Sequence, residues 1–434
     1  MASGELRYGS LLPEGYCPRI VDEQVERYLS MFGAVEIAGT KWCGKTWTAC
    51  AHGNSIAYLD EGNNLQLAKA DPLLVLEGDQ PHIVDEWQKA PLVWNAVRHE
   101  IDRRRKVRGA WILTGSSTPC DEESRHSGAG RIGRVRMLPM TLCESGDSTG
   151  EVSLKGLFQG DFKRASVEHD SRRLVELCCR GGWPEVFDEA VEAAQEVSRE
   201  YLRSICENSA PAHGKDPSAS RALIRSIARN LGQAPTYKTL AADMYGNAEE
   251  APSEKTLAGY TGFLKRIYLT QEVSGWLPPA RSPKRLRVKP KRYFADPSLA
   301  VAALGLSVDG LIADWQTFGL VFENLCMRDL MVYASALPSV GSEPVRYYRD
   351  ETGLEADAVV ELADGSWAAF EFKVSEDKVE AAVGNLKRVR AKVLSAKGAQ
   401  VRPPAFMAVI TGNGQFAREA EDGIYVIPIR ALGA

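Results

Sequence analysis

One segment of eight residues, Gly39–Thr46, restricts the possible folds of this chain more than any other feature. It reads GTKWCGKT, matches the pattern G-x-x-x-x-G-K-[ST], and stands between an apolar run at Ala34–Ala38 and a helical pattern that begins near Lys45. Its glycines let the backbone wrap a phosphate group with N–H groups, and the N-terminus of the following helix adds a favourable dipole. Short apolar runs alternate with helical patterns from about residue 35 to residue 139, which predicts a parallel α/β sheet around this phosphate loop.

Each position of the phosphate loop has an expected role in binding ATP and Mg²⁺. Lys45 is predicted to reach the β- and γ-phosphates and to act in catalysis, and the Thr46 hydroxyl is predicted to bind the metal. The predicted nucleotide contacts are Gly39, Thr40, Lys41, Trp42, Cys43, Gly44, Lys45 and Thr46.

Two adjacent acidic residues follow a downstream predicted strand, His82–Val84. Asp85 is expected to hold Mg²⁺ through water, and Glu86 is expected to polarise the attacking water as the catalytic base. Adjacent acids after a strand are often solvated loop residues, but the phosphate loop favours the catalytic interpretation.

Further polar residues are expected at the same edge of the sheet. The strand 110–113 is followed by Thr114 and Ser116, either of which is predicted to sense the γ-phosphate, with Ser116 assigned as a nucleotide contact; an ordinary turn is the alternative. Arg131 and Arg134 are candidates for stabilising transition-state charge, in this site or in that of a neighbouring copy, and a solvated charge pair is the alternative for at least one of them.

Composition limits the classes of function. The 434 residues include 53 Lys+Arg and 57 Asp+Glu, for a formal net charge of -4, which argues against a protein coated constitutively with nucleic acid. The nine cysteines form no C-x-x-C pair, and no apolar run approaches the roughly 18 residues of a membrane span. We therefore expect a cytoplasmic protein with reduced thiols, outside the membrane.

The pattern along the chain predicts four parts. Residues 1–150 carry the predicted ATPase domain, and residues 151–218 read as a helical subdomain and connector. Residues 219–310 contain three helical patterns and then two candidate strands, which is the order of a winged-helix module. Residues 311–434 read as a separate α/β unit.

The N-terminal motifs resemble those of a large group of prokaryotic AAA-type ATPases. Members of that group end in a domain of unknown function that is similar to the PD-(D/E)XK nuclease fold, so the resemblance implies a restriction-endonuclease-like C-terminal domain. The segments that carry the resemblance are Glu36–Thr46, Val84–Gln88, Leu113–Ser116, Gly130–Pro139, Pro290–Asp296 and Gly319–Glu323.

A second group of charged residues lies near the C-terminal end. Asp357 lies in one predicted strand, and Glu371 and Lys373 end the next, so strand alternation places Glu371 and Lys373 on one face that Asp357 can join. The resemblance implies that Asp357 and Glu371 bind a divalent metal and form the catalytic set with Lys373, with Glu323 as a further metal ligand. The alternative is a solvated sheet edge.

A run of basic residues without an intervening acid falls around the predicted hairpin of the winged-helix part. It could neutralise the phosphates of a DNA duplex while helix 253–267 approaches the major groove, or the module could pack between domains instead. The basic residues are Arg281, Lys284, Arg285, Arg287, Lys289, Lys291 and Arg292.

These features together predict an ATP-dependent molecular switch that acts with nucleic acid. The expected cofactors are ATP and Mg²⁺, the expected partner is double-stranded DNA, and the expected assembly is a homo-oligomer with nuclease activity in its C-terminal domain. The alternative is an ATP-dependent scaffold or regulator that binds a protein partner through a catalytically inactive C-terminal domain, and the acidic composition favours it.

Overall fold

The computed structural model describes residues 6–118, 128–246, 252–278, 288–338, 340–395 and 401–434. The chain divides into a first unit, Met1–Pro139 with Arg266–Leu269, and a second unit, Met140–Lys265 with Thr270–Ala434. The finer division into four parts stays a prediction. Four members of the predicted basic run, at positions 281, 284, 285 and 287, lie outside the described residues.

The first unit contains the parallel α/β sheet that the sequence predicts. Its five parallel strands are arranged in the order β2-β3-β4-β1-β5, so β4 lies between β1 and β3. The carboxyl ends of parallel strands lie at one edge of a sheet, where ligands of open α/β folds bind. The strands are β1 (Ala34–Gly39), β2 (Ser55–Tyr58), β3 (His82–Asp85), β4 (Trp111–Gly115) and β5 (Ile132–Met137).

Apolar side chains cover both faces of this sheet. On one face Ala34 and Trp111 belong to a buried cluster with Trp94, and on the other face Val35 and Ile112 belong to a second buried cluster. Burial on both faces explains why the central strands β1 and β4 read as nearly continuous apolar runs. The helices are α1 (Asp22–Met31), α2 (Lys45–His52), α3 (Asn64–Ala70) and α4 (Leu92–Arg104).

Most helices of the second unit precede its large sheet. Three of them, within residues 217–266, come before the antiparallel pair of β7 (Thr270–Val273) and β8 (Lys291–Phe294), which is the order of elements that the sequence predicts. The assignment of this segment as a winged helix stays a prediction. The helices are α5 (Leu154–Phe158), α6 (Ser171–Arg180), α7 (Val191–Ser204), α8 (Ala210–Ala212), α9 (Pro217–Arg229), α10 (Tyr237–Tyr245), α11 (Glu254–Arg266), α12 (Pro297–Leu304), α13 (Val308–Ala313), α14 (Trp315–Ser335) and α15 (Val379–Leu394).

The large sheet of the second unit has six strands in the order β13-β14-β12-β11-β10-β9. Strands β9, β10 and β11 are antiparallel neighbours, and β11, β12 and β14 are parallel. Helix α15 connects β11 to β12 and buries Val383, Leu386 and Val389 in the core cluster of this sheet. The strands are β6 (Val152–Ser153), β7 (Thr270–Val273), β8 (Lys291–Phe294), β9 (Arg346–Arg349), β10 (Glu355–Glu361), β11 (Trp367–Lys373), β12 (Phe406–Thr411), β13 (Arg418–Glu421), β14 (Ile424–Pro428) and β15 (Leu432–Gly433).

A buried ion cluster joins α14 to the rest of the second unit. Arg328 is 2% exposed, and its Nη1 donates to Asp296 Oδ2 at 2.8 Å while its Nη2 lies 2.7 Å from Asp329 Oδ1. Asp296 also accepts from the N–H of Gly182, and Asp329 accepts from the N–H of Leu142. Within the part of the chain that the structure describes, no helix has the length and apolar character needed to cross a membrane.

Candidate functional site

The phosphate loop joins β1 directly to α2. Gly44, with φ of 96°, turns the chain in the left-handed region immediately before α2, and Trp42 has φ of 64°. A Cβ atom at Gly39 would lie 2.2 Å from the carbonyl oxygen of Met137, so only glycine fits against β5 there. Lys45 is buried, and its Nζ donates to the carbonyl oxygen of Thr40 at 2.8 Å. The loop therefore holds its own lysine against the backbone that is predicted to surround the phosphates.

Arg19 holds the phosphate loop by hydrogen bonds from its guanidinium group to backbone carbonyls. This residue was not predicted from the sequence. Its Nη1 donates to the Cys43 carbonyl at 2.8 Å and its Nη2 donates to the Leu138 carbonyl at 2.9 Å. The Arg19 backbone N–H in turn donates to Asp22 Oδ2 at 2.8 Å. No local pattern could have shown this, because the two carbonyls lie 24 and 119 residues further along the chain.

Asp85 meets the hydroxyl groups of two other elements at the edge of the sheet. Its Oδ1 accepts a hydrogen bond from Thr46 Oγ1 at 2.9 Å and another from Thr114 Oγ1 at 2.6 Å. Burial raises the pKa of Asp85, while these two hydrogen bonds act in the opposite direction. Hydroxyl and carboxylate oxygens are ligands that Mg²⁺ accepts, so Thr46 and Asp85 fit the predicted metal site.

Glu86 lies beside Asp85 in a left-handed backbone conformation, with φ of 56°. Its N–H donates to Thr114 Oγ1 at 3.0 Å, and its Oε2 accepts from Ser116 Oγ at 2.8 Å and from the amide of Gln88. Ser116 thus orients Glu86 in this structure, while its predicted contact with the nucleotide stays a prediction. Gln88 is a further site residue that the sequence analysis missed.

Both candidate arginines of the first unit have acidic partners. Arg131 Nε lies 2.9 Å from Asp102 Oδ1, and Arg134 Nε lies 3.0 Å from Glu36 Oε2. Burial raises the pKa of Glu36, and Arg134 opposes that shift. These ion pairs match the charge-pair interpretation, and a role for either arginine in transition-state stabilisation stays a prediction.

The second unit brings together the charged residues of β10 and β11, as strand alternation predicts. Lys373 Nζ lies 2.6 Å from Glu371 Oε2 and 3.5 Å from Asp357 Oδ2. The N–H of Phe372 donates to Asp357 Oδ2 at 2.8 Å, and the amide of Asn385 on α15 donates to Glu371 Oε1 at 2.6 Å. Burial raises the pKa of Glu371 to about 7, and the neighbouring charge of Asp357 adds to that increase.

Glu323 on α14 lies near the charged residues of β10 and β11, as the resemblance implies. Its Oε1 accepts from Tyr293 OH at 2.6 Å and lies 3.3 Å from Lys291 Nζ. Lys291 Nζ also lies 2.5 Å from Glu355 Oε1 and 4.0 Å from Asp357 Oδ1. We call Glu323, Glu355, Asp357, Glu371, Lys291 and Lys373 the acid–lysine cluster.

Burial in the structure contradicts two interpretations that the sequence left open for this region. The carboxylates of the cluster do not face solvent freely, since Glu371 is only 6% exposed. Lys291 and Arg292 are buried as well, and Arg292 Nη1 donates to the Pro235 carbonyl, so neither side chain belongs to an exposed DNA-binding strip. Charge counted along the chain did not show which side chains the fold would bury.

The acid–lysine cluster does not fit a metal ion in this arrangement, because lysine ammonium groups occupy the contacts that a metal would make. Among the described residues, no group of three or more His, Cys, Asp or Glu side chains could hold a metal ion. The predicted metal-binding roles of Glu323, Asp357 and Glu371 stay predictions.

Comparisons with known proteins divide the chain into three regions. Residues 32–145 match the model of an AAA domain, residues 171–310 match a domain of unknown function (DUF8612), and residues 318–432 match another (DUF4143). Uncharacterized proteins of Mycobacterium tuberculosis and Mycobacterium bovis are each 24% identical to this chain over 361 residues, covering 81% of this chain and 72% of each relative.

Solved structures show weaker similarity. A Walker-type ATPase of Pyrococcus abyssi aligns at 14% identity with a TM-score of 0.42, covering 69% of this chain and 99% of that protein. A variant of Thermotoga maritima RuvB aligns at 15% identity with a TM-score of 0.27, covering 63% of this chain and 90% of that protein. The match to the AAA model, together with the phosphate loop and the parallel sheet, identifies the N-terminal part as an AAA-type P-loop domain.

Proposed function

We propose that this protein binds ATP with Mg²⁺, hydrolyses it in the first unit and uses that cycle as a molecular switch. The observation that carries the proposal is the convergence of Thr46 and Thr114 on Asp85, with Glu86 held beside them. A phosphate loop, a metal-binding carboxylate and an adjacent carboxylate base are the groups that ATP hydrolysis needs.

Each residue of the site has a defined part in this proposal. Lys45 would exchange its hydrogen bond with the Thr40 carbonyl for the β- and γ-phosphates. Thr46 and Asp85 would hold Mg²⁺, which would supply positive charge to balance the phosphates. Glu86 accepts a proton from the attacking water as oxygen adds to the γ-phosphorus and ADP leaves. Ser116 holds the Glu86 carboxylate in position.

Substitution of Glu86 separates ATP binding from hydrolysis. Glu86→Gln keeps the hydrogen-bonded shape of the side chain but cannot accept the proton, so we expect ATP binding near the parental affinity and hydrolysis reduced about 10²- to 10⁴-fold. Lys45→Ala removes a positive charge and should weaken binding itself. Binding is measured with a fluorescent ATP analogue, and hydrolysis by release of phosphate.

The matched control is Glu77→Gln, which makes the same change at an exposed position of the first unit. It should leave both measurements unchanged. If Glu86→Gln hydrolyses ATP at the parental rate, Glu86 is not the catalytic base.

Double-stranded DNA is the proposed partner of the switch, and a protein partner is the alternative. Because Lys291 and Arg292 are buried, the proposed DNA contacts are those of Lys289, which is exposed, and of the basic residues outside the described part of the chain. Charge reversal at Lys284, Arg285 and Arg287 should abolish duplex binding and flatten its salt dependence, measured by fluorescence anisotropy. Absence of DNA binding by the parental protein would favour the scaffold.

Metal-dependent nuclease activity of the second unit is a second candidate function. The adjacency of Asp357, Glu371 and Lys373 supports it, since these are the residue types that the resemblance implies for phosphodiester cleavage. The lysine contacts described above must change before a metal can bind. Asp357→Asn should abolish any Mn²⁺-dependent cleavage of DNA while leaving ATP hydrolysis at the parental rate, and cleavage that survives this substitution would exclude the site.

A further inference from the structure

Lys291 places a positive charge where the predicted metal ligands of the second unit converge. It lies on β8, it is 5% exposed, and its Nζ is 2.5 Å from Glu355, 3.3 Å from Glu323 and 4.0 Å from Asp357. Two of these three carboxylates belong to the metal set predicted from the sequence. The ammonium group therefore makes the contacts that would be open to a divalent cation.

Attraction to the neighbouring carboxylates strongly favours this position of the Lys291 ammonium group. Burying carboxylates without a counterion is costly, and removal of one member of a buried ion pair leaves an uncompensated charge. The carboxylates of Glu323, Glu355 and Asp357 all lie within 4.0 Å of the Lys291 ammonium group, so its positive charge balances theirs.

Backbone pairing with β7 fixes the position of Lys291 on β8. The adjacent residue Arg292 exchanges two backbone hydrogen bonds of 3.0 Å with the loop at Gly232 and Gln233. A cavity of about 380 Å³ opens beside the cluster and is lined by Lys291, Glu355 and the loop at residues 230–236.

We propose that Lys291 is a built-in counterion that excludes divalent cations from the acid–lysine cluster and closes the candidate nuclease site of this protein. The proposal rests on the second candidate function, since it concerns metal access to the same carboxylates. The protein thus keeps its second unit inactive by an internal contact instead of by loss of its acidic residues.

The test measures binding of Mn²⁺ alone to the full chain by isothermal titration calorimetry in metal-free buffer. Lys291→Met keeps most of the side-chain volume and removes the charge, so it should bind one Mn²⁺ at least tenfold more tightly than the parental protein. Lys291→Arg keeps the charge and should bind no better than the parental protein. Lys155→Met is the control, because it removes an exposed lysine elsewhere in the second unit and should leave the affinity for Mn²⁺ unchanged.

A second substitution locates the metal. Adding Glu323→Gln to Lys291→Met should abolish the gain in affinity, because Glu323 is one of the released carboxylates. If Lys291→Met does not fold, as judged by circular dichroism, the variant with both Lys291→Met and Glu355→Gln removes the closest ion pair together and should show the same gain.

The outcomes distinguish failure of this inference from failure of the nuclease proposal. If the parental protein and Lys291→Met bind Mn²⁺ equally tightly in the cluster, Lys291 does not exclude metal, and the nuclease proposal remains in place. If folded Lys291→Met binds no Mn²⁺ in the cluster, both the exclusion and the metal-dependent nuclease are wrong.

Discussion

The hydroxyl group of Thr114 connects the two acidic residues of the candidate ATP site. It donates to Asp85 Oδ1 at 2.6 Å and accepts from the N–H of Glu86 at 3.0 Å. Thr114→Val keeps the shape of this buried side chain and removes both hydrogen bonds. Loss of a hydrogen bond to a charged group costs about 1.5–3 kcal/mol, and an unpartnered backbone N–H costs about 1–3 kcal/mol.

We expect Thr114→Val to lower the free energy of unfolding of the first unit by about 2–4 kcal/mol, because solvent can compensate part of the loss at half-buried Glu86. Such a change corresponds to a fall in melting temperature on the order of 5–10 °C. The pKa of Asp85 should rise further above its ordinary value, since the hydrogen bond from Thr114 counteracts the effect of burial. Misplacement of Asp85 and Glu86 should also reduce kcat at least tenfold, which corresponds to about 1.4 kcal/mol in the barrier.

The assay compares thermal unfolding and steady-state ATP hydrolysis of the full chain. Thr114→Ser is the control, because it keeps the hydroxyl and removes only a buried methyl group, at a cost of about 1 kcal/mol. Its kcat should stay close to the parental value. The reasoning is refuted if Thr114→Val unfolds and hydrolyses ATP like the parental protein, or if Thr114→Ser loses as much activity as Thr114→Val.

Three further substitutions test other parts of the structure. Arg328→Met leaves two buried aspartates without their cation and should destabilise the second unit by about 3–5 kcal/mol in urea unfolding, and an unchanged midpoint would contradict the role of this ion cluster. The pKa of Glu36 is raised in the folded state, so the folded state binds more protons than the unfolded state from pH 4.5 upward. The free energy of unfolding must therefore fall as the pH rises through this window. Glu36→Gln should flatten that decline in a pH series of unfolding curves. Gly39→Ala places a methyl group 2.2 Å from a backbone carbonyl and should abolish binding of a fluorescent ATP analogue, whereas Gly384→Ala, with no heavy atom within 4 Å of the added group, should bind it normally.

The sequence predicted which acidic and hydroxyl residues would meet at the first site, because their placement follows local order. The phosphate loop is one continuous segment, and Asp85 and Glu86 come directly after a strand, so a parallel sheet is enough to bring them to one edge. Arg19 and Gln88 were not predicted. Arg19 acts on backbone carbonyls that any residue could supply, and such a contact leaves no pattern in the sequence.

The second unit shows what side-chain alternation can and cannot predict. It correctly placed Glu371 and Lys373 together and brought Asp357 beside them, because neighbouring strands share faces. It could not show that Glu355 would join them or that Lys291 would reach the same group from β8. Those contacts depend on the packing of distant elements, so Lys291 appeared in the sequence only as one cation in a basic run.

The two sites stabilise buried carboxylates by different means, and this difference governs their response to metal. Asp85 receives hydrogen bonds from the neutral hydroxyls of Thr46 and Thr114, which compensate its burial without supplying positive charge. Asp357 instead lies near the ammonium groups of Lys291 and Lys373, which supply that charge already. On the proposed function, a divalent cation would complete the charge balance of the first site, whereas it would have to displace a lysine in the second. Mg²⁺ together with ATP should accordingly raise the melting temperature of the first unit, and Mg²⁺ should leave the second unit unchanged as long as Lys291 is present.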